Sequence, residues 1–93
     1  MVTYFIFHHY PFSGPPVILP SVPNAAVIAG QSITLQCGHL SGDIEWYKEG
    51  SDVPISRGQA LTVRHASSKD EGTYHCGTKN GPRGSLKVLV IGE

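Results

Sequence analysis

No net charge stands on this chain: seven Lys and Arg residues balance seven Asp and Glu residues. That balance argues against non-specific nucleic-acid binding, which needs clustered positive charge. No apolar run approaches the roughly 18–20 residues that span a bilayer. Cysteine is scarce, with only Cys37 and Cys76. Their wide separation excludes a CxxC metal or redox motif, and no Cys/His set has zinc-ligand spacing, so neither metal nor cofactor is expected. No segment carries the i, i+3, i+4, i+7 recurrence of an amphipathic helix. Internal repeats, low-complexity tracts and Asn-x-Ser/Thr sequons are also absent; Asn24 and Asn80 are followed by other residues. Glycosylation therefore offers no argument for secretion.

What is present is a length of 93 residues, room for one domain with a modest core that would benefit from a covalent staple. The opening Met1 to Phe7 looks like the start of a signal peptide. It lacks a basic n-region, its apolar run stops at His8-His9, and no small-residue cleavage site follows. Both ends suggest a piece of a longer protein. The two cysteines have two readings. A bridge would close a loop of about 40 residues, stabilise the fold by roughly 4 kcal/mol and imply an oxidising compartment. Two buried thiols are the alternative.

Residues 1–16 mix aromatics, a His pair, Pro11, Pro15, Pro16 and Gly14 without periodicity, and read as a flexible extension to a domain at 17–93. From Val17 the chain breaks into short apolar runs separated by turn residues. Val17 to Leu19 is an edge segment, barred from a central place by Pro20 and Pro23. Ala25 to Ala29 follows. Ser32 to Cys37 alternates, with Ile33, Leu35 and Cys37 on one face. Ile44 to Lys48 puts Ile44, Trp46 and Lys48 on one side and Glu45 and Tyr47 on the other. Val53 to Ser56 is a short strand at best, and Ala60 to Arg64 turns Leu61 and Val63 inward. Thr73 to Thr78 and Ser85 to Ile91 complete the set, joined through Asn80 to Gly84, where Asn-Gly signals a hairpin. This pattern predicts an all-β, two-sheet sandwich.

Three features coincide: Cys37, Trp46 nine positions later, and Asp70-Glu71-Gly72-Thr73-Tyr74-His75-Cys76, which reads D-x-G-x-Y-x-C. The constellation resembles the immunoglobulin superfamily. Ala29 to Cys37 is similar to the family's second strand, Trp46-Tyr47-Lys48-Glu49-Gly50 to the W-Y-K-D/E-G run of I-set and C2-type domains, and Leu61 to Asp70 to the strand leading into the motif. The resemblance covers roughly residues 17–91. It implies an antiparallel Greek-key sandwich, a Cys37–Cys76 bridge between the sheets, and Trp46 packed on that bridge. It also implies a Tyr74 hydroxyl bonded to nearby backbone and a pairing of Asp70 with Arg57 or Arg64. Leu35 and Leu61 join the core, and Gly72 takes a conformation that other residues resist. Two departures point to a shortened I-set or C2-like domain. The Cys37-to-Trp46 interval is short, and between Trp46 and Leu61 there is room for only one short edge strand. Ala66 stands where the family has a larger apolar residue, so the core should be thin there.

No residue set suits catalysis. Ser67, His65 and Asp70 are neighbours on one segment and lack triad geometry, so the chain is not expected to be an enzyme. The histidines are read as surface residues. Lys79, Arg83 and Lys87 make a modest basic group, which admits an acidic polysaccharide as a minor candidate ligand. For a protein partner, Glu45, Tyr47 and His75 should face outward together beside a Lys79–Arg83 hairpin loop. An exposed tyrosine there would serve as an anchor. The opposite face, with Thr34, Gln36, Thr62 and Arg64, is polar and lacks an aromatic. Two functions follow from the resemblance: an extracellular or cell-surface recognition or adhesion module, favoured by the cysteine pair, and a structural spacer of an intracellular filament protein. The partner itself, homophilic or heterophilic, is not legible in the residues.

Overall fold

A computed structural model describes residues 16–38 and 42–92. The described residues hold eight strands: β1 Val17–Leu19, β2 Asn24–Ile28, β3 Ile33–Gly38, β4 Ile44–Lys48, β5 Ser56–Arg57, β6 Ala60–Val63, β7 Gly72–Thr78 and β8 Arg83–Ile91. A 3-10 turn at Ser68–Asp70 leads into β7. The strands form two sheets, β1-β3-β6 and β2-β8-β7-β4-β5, the two-sheet sandwich that the alternating pattern predicts. Residues 1–15 lie outside the described residues, so the extension, with His8 and His9, is not placed; His39 and Ser41 are also outside. Pro16 is described, and it is buried, with its carbonyl oxygen against Gly84.

Alternation decides what lies inside. Leu35 and Cys37 from β3, Ile44 and Trp46 from β4, Leu61 and Val63 from β6, Tyr74 and Cys76 from β7, and Leu86 and Val88 from β8 form one buried cluster. Cys37 and Cys76 are disulfide-bonded across the sheets, with Cα atoms 6.1 Å apart. The Trp46 indole is fully buried beside them. Its Nε1–H donates to the carbonyl of Gly58 at 2.9 Å, while Gly58 N–H donates to Ile44 and Ile55 N–H to Trp46. The segment after β4 thus wraps the one polar atom of the ring, which burial would otherwise leave unpaired.

At the far end of the core, Tyr74 Oη–H donates to the backbone oxygen of Asp70 at 2.5 Å. The Asp70 carboxylate does not pair with an arginine as expected. Its Oδ2 accepts from Ser67 N–H at 2.9 Å and so closes the turn. Arg57 pairs with Glu45 instead, because the β4–β5 register sets those two residues opposite each other. The cation at this end is Lys48, whose ammonium donates to Lys69 O and lies 5.7 Å from the Tyr74 ring centroid. Gly72, at φ +147, takes a conformation that L side chains rarely adopt, and a Cβ there would meet Lys48 Cε at 3.0 Å. Ala66 is buried, and its backbone hydrogen-bonds to the backbone of Gly30 and Gln31.

Three further details depart from the pattern reading. β2 runs parallel to β8, from Asn24↔Lys87 to Ile28↔Ile91, within an otherwise antiparallel sandwich. The short strand after β4 is Ser56–Arg57 rather than 53–56, since Pro54 has no N–H to give a ladder. β8 begins at Arg83, two residues earlier than expected, because the β7–β8 ladder continues through Cys76↔Gly84 to Gly77↔Arg83; the Pro16 backbone approaches Gly84 too closely for a side chain.

Denaturant melts should show Trp46→Ala losing roughly 3–5 kcal/mol by emptying the centre of the core. Tyr74→Phe should lose about 1–2 kcal/mol with its hydrogen bond. Parent-like stability in both variants would contradict this account of the core.

Candidate functional site

The outer face of the five-stranded sheet carries the residues that the sequence singles out for binding. β4 and β7 are paired so that Tyr47 lies opposite His75 and Glu45 opposite Gly77. β8 adds Ser85 beside His75 and Arg83 beside Gly77. Glu45, Tyr47, His75 and Arg83 therefore do share a face, with Lys79 at the turn that joins β7 to β8.

The expected exposed tyrosine is not found. Tyr47 is only 4% exposed. The Arg83 guanidinium lies over its ring, with Cζ 3.8 Å from the centroid. The cause is a missing side chain: Arg83 is separated from β4 by β7, and it faces Gly77. A Cβ at Gly77 would meet Arg83 Cγ at 3.2 Å and Pro82 O at 2.7 Å. Glycine leaves the lane open, and the arginine crosses it to the tyrosine. Arg83 is thus a ladder residue stacked on an aromatic, not a free loop side chain. The accessible feature is the guanidinium, with Tyr47 as its platform.

Beneath it runs a hydrogen-bonded chain. Tyr47 Oη–H donates to Glu45 Oε1 at 2.5 Å, and Arg57 Nε–H donates to Glu45 Oε2 at 3.2 Å. Tyr47's hydroxyl, more than the Arg57 cation, holds the Glu45 carboxyl below the usual carboxylate range. The same bond, with burial, raises the Tyr47 phenol above its ordinary value of 10.0. Burial, followed by the nearby Asp70 charge, raises Tyr74 as well. His75 is also engaged: Nδ1 lies 2.7 Å from Ser85 Oγ, and Nε2–H donates to Glu49. A groove of about 650 Å³ opens beside this cluster, lined by Gly42, Asp43, Glu45, Arg57, Thr78 and Lys79 among others.

The opposite outer face differs. Thr34, Gln36, Thr62 and Arg64 are exposed there, and the Thr34 and Thr62 hydroxyls bond to each other at 2.9 Å. Sequence reasoning missed Glu49, Ser85 and the place of Arg57 in the cluster. Ser85 was within reach, because an inward Leu86 turns it outward beside His75. Arg57 was not, since its position depends on the register of a two-residue strand.

With bridge, buried tryptophan and tyrosine corner in place, the wider comparison is decisive. The sequence profile described as immunoglobulin domain matches residues 15–80. The chain belongs to the immunoglobulin domain family. This immunoglobulin domain is 40% identical over 82 residues to the macrophage colony-stimulating factor 1 receptor of Mus musculus, covering 84% of the chain and 8% of the receptor. It is 28% identical over 93 residues to the advanced glycosylation end product-specific receptor of Mus musculus, covering 86% of the chain and 23% of that receptor. The fold matches the N-terminal four Ig domains of Dscam1 isoform 4.44 with a TM-score of 0.67 at 20% identity, covering 83% of the chain and 21% of that structure. The domain therefore spans only a small part of the length of these relatives. Among the described residues no set of side chains could hold a metal ion, and no helix is long and apolar enough to cross a membrane.

Tyrosine ionisation offers a direct check on the two buried phenols. Followed by ultraviolet absorbance, Tyr47 and Tyr74 should titrate above pH 10. A raised folded-state value means that their stabilisation is complete below about pH 10 and is lost as pH rises through the folded values. Tyr47→Phe and Tyr74→Phe should each delete one late phenol from the curve, and an unchanged curve in either variant would contradict the geometry.

Proposed function

We propose that this immunoglobulin domain is a recognition module from the extracellular part of a cell-surface protein, docking a protein partner on the outer face of the five-stranded sheet. The observation that carries the reading is the Cys37–Cys76 bridge. In a domain this small, roughly 4 kcal/mol from one bridge is a large fraction of the total stability. Such a chain works where the bridge persists, which is outside the reducing cytosol. The likeness to two receptors supports the same compartment and the same task, since both are named for the molecules they receive. Within this reading residues 17–93 are the binding domain, Pro16 packs against it at Gly84, and residues 1–14 belong to an extension that folding does not require.

The docking face is assigned by contrast between the two sheets. On the five-stranded sheet a guanidinium is held on an aromatic platform beside a groove, with a turn at Lys79 and Asn80 next to it. Ordering a side chain before binding lowers the entropy lost on association. The three-stranded sheet offers the mutually bonded Thr34 and Thr62 hydroxyls, Gln36 and Arg64, and no aromatic platform.

The compartment is tested by reduction. Opening the bridge should lower the unfolding free energy by about 4 kcal/mol and leave much of the chain unfolded at 37 °C. Equal melting temperatures for the oxidised and reduced forms would instead favour the intracellular spacer. The docking face is tested on any partner drawn from a panel of secreted proteins and receptor ectodomains. Arg83→Ala with Lys79→Ala should weaken binding at least about tenfold, and Thr34→Ala with Thr62→Ala less than about twofold. The reverse pattern places the interface on the other sheet.

A further inference from the structure

The zero net charge of the chain conceals an uneven distribution of charge over its surface. On the outer face of the five-stranded sheet stand Arg57, Arg83 and Lys87, with Lys79 at the adjoining turn. Of the acids on this side, Glu45 takes hydrogen bonds from Arg57 and Tyr47, and the exposed Glu49 takes one from His75. Among the described residues Arg83, Lys79 and Lys87 have no carboxylate within ion-pair distance. Asp43 stands at the edge of the groove with Lys79, and Asp70 and Glu71 lie at the turn before β7. With Arg57, Arg83, Lys79 and Lys87 set against Glu45, Glu49 and Asp43, the face carries a small cationic excess, gathered along β8 and the β7–β8 turn, although the whole chain is neutral.

We infer that the partner presents an acidic protein segment, whose carboxylates pair with Arg83, Lys79 and Lys87 along β8 and the β7–β8 turn. The inference rests on the recognition role proposed above and specifies its chemistry. Arg83 is the central contact. The Tyr47 ring, 3.8 Å from Cζ, gives the guanidinium a platform, so it can offer a carboxylate two parallel N–H donors without first ordering a flexible chain. Glu45 makes no ion pair with it; that carboxylate takes its hydrogen bonds from the Tyr47 hydroxyl and Arg57. Gly77 keeps the stack in place by leaving the lane across β7 empty. Lys79 and Lys87 flank the site as longer-range point charges that steer an anionic segment toward it. A protein segment is favoured over a sulfated polysaccharide: the separated cations suit a few carboxylates held in a folded surface, whereas a uniform polyanion would meet Glu49 and Asp43 as well.

The test uses the whole oxidised chain and, as probe, a peptide of about a dozen residues carrying three glutamates spaced by glycine and serine, with a heparin oligosaccharide of matched charge as comparison. Amide resonances of β7, β8 and the 79–83 segment should shift on adding the peptide, and binding should weaken about tenfold between low and physiological salt. Arg83→Gln should weaken it about tenfold, while Arg64→Gln on the opposite sheet leaves it unchanged. Shifts confined to the Thr34/Thr62 face, or equal loss in the two variants, would overturn the inference. So would heparin binding more tightly than the peptide at equal charge, which would make the ligand a polysaccharide. A panel partner whose affinity ignores both salt and Arg83→Gln leaves the recognition role standing and removes the acidic-partner chemistry alone.

Discussion

The Cys37–Cys76 bridge joins β3 of the smaller sheet to β7 of the larger one, and most of the remaining architecture is arranged around that link. Once both sulfurs point inward, the two-residue period turns Leu35 inward on β3 and Tyr74 on β7, and sends Thr34, Gln36 and His75 out. Trp46 sits directly opposite Cys76 in the β4–β7 ladder, so the largest side chain of the domain lies beside its covalent tie. The outer surfaces inherit their composition from the same constraint. A single covalent link thus sets the residues available for packing and those left for contact with other molecules.

Much of this was legible in the residues. The clean alternation of Ser32 to Cys37 and the D-x-G-x-Y-x-C run each carry local geometry, and together they identify the sandwich. They also pick out the tyrosine corner and the backbone conformation of Gly72. What alternation reports is the side of a strand, not the depth of cover above it. Tyr47 was assigned to the correct face, yet its burial depends on Gly77 in one neighbouring strand and Arg83 in the next. That is a property of register across three strands, which no single segment displays. The partner of Asp70 was misread for a similar reason: Arg57 is held by its cross-strand neighbour Glu45, a pairing fixed by the two residues of β5.

The polar cluster on the five-stranded sheet shows how a surface can be rigid without being apolar. Glu45 links Tyr47 to Arg57, and Tyr47 carries Arg83, so four side chains from three strands constrain one another. Pairs of exposed charges contribute little to stability, and the value of this network is geometric. It holds one guanidinium over the Tyr47 ring.

The parallel course of β2 beside β8 has a mechanical consequence. Tension passing along the backbone reaches this ladder at Asn24 and leaves it at Ile91, which lie at opposite ends of the paired segment. Its hydrogen bonds are then loaded in shear, all together, rather than peeled open one after another. A domain pulled from both sides would resist extension until the whole ladder yields at once, and the pairing that closes the edge of the sheet would then act as a clamp.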